Sequence, residues 1–310
     1  MVRLPGLKFA GYAAVILQTL LSAITFLIAK DATRHFTALE LAWFRIELSG
    51  FLAVLALLYV RTIPARRDWP RIAFLGVSGI AINQTLFLLG LRYSSPLHSA
   101  LLYAFTPILV LIGALIHLGE RLTWQKALGV LLAMAGVLLV LLAQGLDLSQ
   151  GPLRGDLITL VAVFTWSTYT VAGKPLLARY DALTLTAWIF ICGALVMLPA
   201  GIPVLTHFDP SRPSSRGWLE IGYLSLVTSG IAFTLWYFAL QRLQASQVAV
   251  FTNLQAPLTA LLAWLVMGTV PEHTAIAGGA LVLMGVILVQ ISQRSQPAIR
   301  DIRRSLRLSR

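Results

Sequence analysis

Residues 27–30 read LIAK, and TAL follows at 37–39. The same spacing returns in the second half of the chain, where VAGK at 171–174 is followed by DAL at 181–183. In both places the lysine stands seven positions before the polar residue that opens the next apolar run. A pattern that recurs in this way at long range indicates that one half of the chain duplicates the other.

Two further echoes extend the duplication over most of the sequence. FTP at 105–107 matches QAP at 255–257, and GVLLV at 136–140 matches GVILV at 285–289. In a membrane protein such a duplication is typical of solute transporters, because two equivalent halves can move about a site that lies between them.

Composition indicates that the bilayer is the solvent of this chain. Of its 310 residues, 58% are hydrophobic and only 12% are charged, and the mean hydropathy is +0.81. Soluble domains usually hold about 25% charged residues, so this chain lacks the polar surface that would coat a soluble globule. Its one cysteine, Cys192, excludes a disulfide framework and a Cys-based metal site within one chain. We therefore expect an all-α polytopic membrane protein.

Charged and turn-rich segments divide the sequence into apolar runs of roughly the 20 residues that cross a bilayer. Ten spans are predicted, five in each half. They are 9–30, 38–60, 71–92, 97–117, 124–144, 154–174, 183–205, 217–241, 247–268 and 274–292. Because each half carries an odd number of spans, the two five-helix repeats should enter the membrane in opposite orientation, which makes the repeat inverted.

The same division predicts the domain organisation. The parts are a cytoplasmic N-terminus (1–8), a first repeat (9–145), a connecting loop (146–153), a second repeat (154–292) and a basic cytoplasmic tail (293–310). Cytoplasmic loops are enriched in Lys and Arg. Seventeen of these residues fall on the side of the N-terminus and six on the other side, which places both termini in the cytoplasm. This topology and attraction to anionic lipid headgroups explain the net charge of +12, so no nucleic-acid partner is expected.

Two prolines lie at matching depths of the fourth and ninth spans. Pro107 follows Tyr103 by four residues, and Pro257 follows Asn253 by four. Because proline cannot donate to the carbonyl four residues back, each should free that acceptor and bend its helix. Their recurrence predicts paired hinges at the interface of the repeats. The alternative, that prolines are merely tolerated in membrane helices, stays open.

Uncharged polar and aromatic side chains concentrate in the first, third, sixth and eighth spans and beside the two prolines. Polar groups that face lipid are costly, so these faces should point to other helices or to a water-filled cavity. For any single Ser or Thr, helix packing is an equally good interpretation. Eight larger side chains predict an aromatic, mostly neutral binding cavity for a small amphipathic solute. They are Asn83, Phe87, Tyr103, Trp166, Tyr169, Trp236, Tyr237 and Asn253.

Charge within the spans is sparse. The second span carries Arg45 and Glu47, which are two residues apart and so do not share a helical face. We expect Arg45 to be structural, with its long side chain reaching the aqueous boundary. Glu47 lies deeper and is a candidate proton-coupling residue, or else the partner of a basic residue on another helix.

Motifs of enzyme chemistry do not occur. The sequence has no Gly-x-Ser-x-Gly elbow, no His-Glu-x-x-His helix, no phosphate-binding loop and no cluster of carboxylates at membrane depth. We therefore predict no catalytic residue, no metal ligand and no cofactor. Energy for transport would come from an ion gradient, a counter-solute or the gradient of the substrate itself.

Several short motifs follow one another in a recognisable order. They are the Phe44-Arg45 pair, Pro107 after Tyr103, the turn GERLT at 119–123, and the glycine-containing segment that begins at Gly129 with its echo from Gly278. In this order they resemble the EamA-type members of the drug/metabolite transporter superfamily, over residues 9 to 292. Within that group the chain is most similar to the YddG-type amino-acid exporters of bacterial inner membranes.

The resemblance implies a basket of helices around a central cavity and export of amino acids or related metabolites. Where the family has an acidic residue after the ninth span, opposite Glu120, this chain has Thr269, with Glu272 three residues later. Glu120 is therefore expected to be a loop or helix-start feature and not half of an acid pair.

We expect a secondary transporter or facilitator that exports amino acids, including aromatic ones, and works as a monomer among membrane lipids. The alternatives are another metabolite or drug-like cargo, or a lipid flippase.

Overall fold

The computed structural model describes residues 5–94, 96–143, 153–258, 261–262 and 273–292. All regular secondary structure within these residues is helical. The predicted tail at 293–310, most of the predicted loop at 146–153, Thr269 and Glu272 lie outside them.

The helices follow the order of the predicted spans. Those of the first half are α1 (Pro5–Ala32), α2 (Ala38–Val60), α3 (Arg66–Tyr93), α4 (Pro96–Tyr103), α5 (Thr106–His117) and α6 (Trp124–Ala143). Those of the second half are α7 (Leu153–Gly173), α8 (Ala182–His207), α9 (Ser215–Arg242), α10 (Ala245–Ala249) and α11 (His273–Ile291). The described residues contain eight helical segments long and apolar enough to cross a membrane, which confirms a multi-pass membrane protein.

The sixth and ninth predicted spans are the two outside that set of eight. Helix α7 covers the sixth span with 21 residues, but the run WSTYT at 166–170 makes it less apolar than the others. The ninth predicted span, 247–268, is described only to 258 and at 261–262, and it opens with α10 and a 3-10 turn, Val250–Leu254.

The repeated polar residues Thr37 and Asp181 begin equivalent helices. The Thr37 hydroxyl accepts a hydrogen bond of 3.3 Å from the backbone N–H of Glu40, whose carboxylate accepts one of 2.7 Å from the backbone N–H of Thr37. Asp181 accepts a hydrogen bond of 2.9 Å from the backbone N–H of Thr184. Both residues thereby cap N–H groups that a helix start leaves unpaired, which explains why the pattern recurs.

The repeated lysines make equivalent hydrogen bonds in the two halves. The Lys30 ammonium donates to the carbonyl of Leu91 at 2.8 Å and to a second carbonyl three residues further on. The Lys174 ammonium donates to the carbonyl of Leu240 at 2.7 Å, and again to the carbonyl three residues later. Each lysine therefore satisfies the free carbonyls at the end of the third long helix of its own half.

Helices α6 and α11 join the two halves through paired glycines. A Cβ on Gly136 would lie 2.5 Å from the carbonyl oxygen of Gly278, and a Cβ on Gly129 would lie 2.7 Å from that of Gly285. Gly129, near the start of α6, faces Gly285, near the end of α11, and Gly136 faces Gly278. The two helices therefore run antiparallel. Small residues allow this close approach of backbones, and the repeated GVLLV and GVILV segments lie in this contact.

Helices α3 and α9 each contain a π-helical segment where the sequence predicted a plain helix. The segments are Gly76–Ile82 and Leu224–Ala232, at equivalent places in the two halves. A π-helical segment widens the helix, leaves backbone groups less regularly paired, and often accompanies functional sites. Here each segment leads directly into residues of the central cavity, which begin at Asn83 in α3 and include Phe233 in α9.

Candidate functional site

A central cavity of about 80 Å³ lies between α1, α2, α3, α7 and α9, with the end of α4 and the 3-10 turn before Pro257 completing the wall. Eight uncharged polar residues line it. They are Gln18, Ser22, Thr25, Asn83, Gln84, Thr228, Thr252 and Gln255. Five aromatic residues, Phe26, Phe87, Tyr103, Trp166 and Phe233, complete the wall together with one charged residue, Arg45.

Four of the eight predicted binding residues line this cavity: Asn83, Phe87, Tyr103 and Trp166. The Asn83 side-chain amide donates to the carbonyl of Ala162 at 2.6 Å and to a hydroxyl of α7 at 3.0 Å. These bonds fix the amide between α3 and α7.

Three aromatic rings from the first half form one side of the cavity. Phe26, Phe87 and Tyr103 meet edge to face, with ring centroids 5.4 to 5.8 Å apart. Such edge-to-face contacts hold the three rings in fixed orientations at the cavity wall.

Tyr169, Trp236 and Tyr237 lie behind the cavity wall and not in it. All three side chains are fully buried. The rings of Tyr169 and Tyr237 stack at 4.8 Å, and that of Trp166 stacks on Tyr169 at 5.4 Å. The Trp236 indole N–H donates to the hydroxyl of Thr170 at 3.2 Å. The three predicted residues therefore support Trp166 from behind, because they occupy the faces by which α7 and α9 pack together.

Asn253 is also buried outside the cavity lining, with 1% of its surface exposed. Within the part of the chain that the structure describes, neither its side-chain oxygen nor its side-chain nitrogen has a hydrogen-bond partner. Its neighbours Thr252 and Gln255 face the cavity instead, because the chain is in a 3-10 turn here and not in the α-helix that the sequence predicted.

Arg45 corrects the sequence-based expectation. It does not reach toward the membrane boundary, since only 2% of its surface is exposed and it lines the cavity. Its Nε donates to the hydroxyl of Ser229 at 3.1 Å, while its Nη1 is buried without a hydrogen-bond partner among the residues that the structure describes. A charged residue inside a span is a functional candidate by default, and that rule would have selected Arg45.

Glu47 does not line the central cavity. One of its carboxylate oxygens is buried without a hydrogen-bond partner, and no ion pair of Glu47 occurs among the described residues. The two-residue offset from Arg45 turns the two side chains to different sides of α2.

Helix breaks accompany both predicted hinge prolines. In the first half the helix ends at Tyr103 and restarts at Thr106, so Pro107 occupies the first turn of α5, where its missing N–H costs nothing. In the second half the 3-10 turn Val250–Leu254 precedes Pro257. Each break lies beside residues that line the cavity.

Ion pairs between the two halves stand at opposite ends of α2. At its start, Glu40 pairs with Arg212, and Asp31 pairs with Arg216. At its far end, Asp68 pairs with Arg179 at 2.8 Å. The cavity therefore lies between two sets of ionic contacts, one toward each membrane surface.

Glu120 makes a buried structural contact. Its carboxylate accepts hydrogen bonds from the Lys126 ammonium at 2.7 Å, from the backbone N–H of Ala245 at 2.7 Å and from the Ser246 hydroxyl at 2.5 Å. It thus ties the turn before α6 to the start of α10.

The sequence signature of the EamA-like transporter family matches residues 9–142 and again residues 153–291. The chain belongs to the EamA-like transporter family. Two consecutive matches confirm the duplication and the resemblance drawn from the short motifs. As an EamA-like protein the chain is a membrane transporter and not an enzyme.

Relatives within this group have similar lengths. An uncharacterized transporter of Archaeoglobus fulgidus is 28% identical over 284 residues, which cover 89% of this chain and 96% of the relative. A probable terminal-alkyne amino-acid exporter of Streptantibioticus cattleyicolor is 30% identical over 226 residues, covering 73% of this chain and 74% of that protein. The uncharacterized transporter YyaM of Bacillus subtilis is 26% identical, covering 87% and 90%.

A solved crystal structure has the same fold. It superposes with a TM-score of 0.74 at 22% sequence identity and covers 93% of this chain and 98% of its own. Helix arrangement in this EamA-like protein therefore agrees with an experimentally determined one.

Proposed function

We propose that this EamA-like transporter exports amino acids, including aromatic ones, and related small metabolites by alternating access. The proposal includes ten spans in two inverted five-helix repeats, with the domain boundaries predicted above. It also includes a bacterial plasma-membrane location with both termini in the cytoplasm, and function as a monomer.

The observation that carries the cargo assignment is the environment of Arg45. Arg45 lines the cavity, its Nη1 is buried beside it without a hydrogen-bond partner among the described residues, and no carboxylate is among the lining residues. A buried charge without a partner is costly, and a carboxylate forms the strongest hydrogen bonds with guanidinium. A substrate carboxylate would supply the missing partner.

The rest of the lining suits an amino acid with a large side chain. The rings of Phe26, Phe87, Tyr103 and Trp166 offer apolar and aromatic contact. The side-chain oxygens of Asn83 and Gln84 offer acceptors for an ammonium group. The amino-acid exporter of Streptantibioticus cattleyicolor among the relatives supports the same cargo class.

Cavity size supports a mechanism that requires movement. Pockets for small molecules usually measure about 300–1,000 Å³, and this cavity holds about 80 Å³. Binding of an amino acid therefore needs the walls to separate. We assign that motion to the helix breaks beside Pro107 and Pro257, which would let the two halves open toward either surface.

Counterflow in liposomes tests the cargo assignment. Purified protein would be assayed with labelled phenylalanine, with phenylalanine amide, which lacks the carboxylate, and with phenylpropionate, which lacks the amine. We expect transport of phenylalanine and at least about tenfold weaker transport of the amide, since one charged hydrogen bond contributes about 1.5–3 kcal/mol. Equal transport of phenylalanine and its amide would refute the role of the carboxylate.

Variants of Arg45 connect that result to the site. Arg45→Gln should abolish the preference for phenylalanine over the amide, and Arg45→Lys should keep part of it, because the charge stays but the planar fork is lost. Thermal unfolding of each variant checks that it folds. A folded Arg45→Gln protein with the full preference would place the carboxylate elsewhere.

Proton coupling is a separate proposal and concerns Glu47. A carboxyl group within a span, with one oxygen buried and unpaired, is a candidate proton carrier. We expect a pH gradient to accelerate uptake by the native protein and not by Glu47→Gln, while counterflow without a gradient is the same for both. Gradient-driven uptake that survives in Glu47→Gln would exclude this residue.

A further inference from the structure

A second recess lies on the outside of the bundle, between α5 and α7 and beside the start of α3. Its volume is about 490 Å³. Its walls are mostly apolar and include Leu109, Ile112 and Ile116 of α5 and Phe164 of α7. Ile116 and Phe164 are 69% and 61% exposed, so the recess opens sideways to the bilayer. We call it the α5–α7 groove.

The groove has the length of one membrane leaflet. Its polar mouth is formed by His117, the last residue of α5, and by the cationic Arg71, near the start of α3. From His117 to Leu109 the groove follows α5 for about 12 Å, at about 1.5 Å per residue. Half of a bilayer core that is about 30 Å thick measures about 15 Å. The groove therefore runs from the level of the headgroups toward the middle of the membrane.

Positive charge surrounds the mouth. Arg71 is exposed, and no carboxylate forms an ion pair with it in the described part of the chain. Arg66, Arg67 and Arg121 are exposed at the same end of the bundle. Such a basic surface at headgroup level attracts anionic lipids. The topology predicted from Lys and Arg places this end on the cytoplasmic side.

We propose that the α5–α7 groove binds an anionic phospholipid, with one acyl chain along α5 and α7 and the headgroup phosphate on Arg71. A lipid tail meets the apolar walls, and the phosphate supplies the counter-charge that the protein lacks at the mouth. The site is separate from the central cavity, because Trp166 faces the cavity while Ser167 and Thr168, next in sequence on α7, line the groove. The lipid would join α5, which begins at the Pro107 break, to α7.

Native mass spectrometry of the delipidated full-length protein tests the charge contact. Phosphatidylglycerol and phosphatidylcholine with the same acyl chains would be titrated separately. We expect phosphatidylglycerol to bind at least fivefold more tightly, and Arg71→Gln to remove that preference. The matched control is Arg67→Gln, which removes an exposed arginine of the same basic surface that does not line the groove, and it should change the preference less than twofold.

A second pair of variants tests the apolar part independently. Ile112→Trp fills the groove, and Leu131→Trp places the same ring at a lipid-facing position of α6 that is 58% exposed and outside the groove. We expect the first to weaken binding of both lipids at least fivefold and the second to leave it unchanged. Equal effects of Arg71→Gln and Arg67→Gln, or unchanged binding in Ile112→Trp, would overturn the proposal and indicate unspecific attraction of lipids to the basic surface.

Discussion

The Nε of Arg45 donates a hydrogen bond of 3.1 Å to the hydroxyl of Ser229, across the boundary between the two halves. Ser229 in turn donates to the side-chain oxygen of Gln84, at 3.4 Å. The cation contributed by the first half is therefore oriented by a hydroxyl of the second half, at the wall of the cavity. Movement of one half against the other would change the position of the charge.

Removal of the Ser229 hydroxyl should weaken substrate binding more than it slows turnover. Ser229→Ala leaves Arg45 charged but unfixed, so we expect KM in the counterflow assay to rise about fivefold, as loss of roughly 1 kcal/mol would give. Thr234→Ala is the matched control, because that hydroxyl donates to the Gly230 carbonyl of its own helix at 2.7 Å and Thr234 is absent from the lining of the central cavity. Equal changes in both variants would contradict a positioning role.

The two lysine caps should contribute similar stability. Lys30→Met and Lys174→Met keep the apolar stem and remove the ammonium that binds two carbonyls at a helix end. Each should lower the free energy of unfolding by about 1.5–3 kcal/mol, measured by denaturant titration in detergent. Arg34→Gln is the control, since the Arg34 side chain is 79% exposed and its ion pair with Asp31 is worth little. A cost in Lys30→Met no larger than in Arg34→Gln would argue against capping.

The contact between α6 and α11 should not tolerate a methyl group. In Gly136→Ala the new Cβ meets the Gly278 carbonyl oxygen, and we expect a loss of about 1–3 kcal/mol in the free energy of unfolding. Gly222→Ala introduces the same change in α9, where no atom lies within 4 Å of the new Cβ. It should be neutral or stabilising, because alanine favours helix. Thermal unfolding compares the two, and equal midpoints would show that the helices separate easily.

The buried pair of Glu120 and Lys126 should matter for stability and not for coupling. Their side chains are 6% and 0% exposed, so Lys126→Met leaves a buried carboxylate without its counter-ion and should cost about 3–5 kcal/mol. The double variant Glu120→Gln with Lys126→Met should recover part of that loss, as neither charge remains. Its response to a pH gradient should match that of the native protein, and a changed response would make Glu120 a coupling residue.

Much of the helical framework could be predicted from the sequence, because its signals are local. The predicted span 38–60 coincides with α2, and the predicted span 124–144 begins where α6 begins and agrees with it over all of its described residues. These bounds follow from residue type alone. The length of an apolar run and the polar residues that cap a helix can both be recognised in the sequence without knowledge of the fold. Thr37 and Asp181, which recur at equivalent positions, likewise indicated two helix starts, because a capping residue acts on its own helix.

The sequence predicted the cavity less completely than the helices. Four of the predicted residues line the cavity: Asn83, Phe87, Tyr103 and Trp166. Three others, Tyr169, Trp236 and Tyr237, pack behind Trp166 instead. From its residue type, an aromatic or polar residue in a span is expected to avoid lipid. Whether it then meets a neighbouring helix or an open space depends on where that neighbour stands, which no local pattern contains.

By itself, then, the sequence determined that the chain is a duplicated, helical membrane protein, because hydropathy and repetition are properties of residue type and order. Only the tertiary structure decided that Arg45 faces the cavity, that π-helical segments interrupt α3 and α9, and that the two glycine-containing helices meet. The physical reason is that these features arise from contacts between helices far apart in the chain. The direction of a buried side chain is set by the partners that satisfy it, and for Arg45 that partner is Ser229 of the other half.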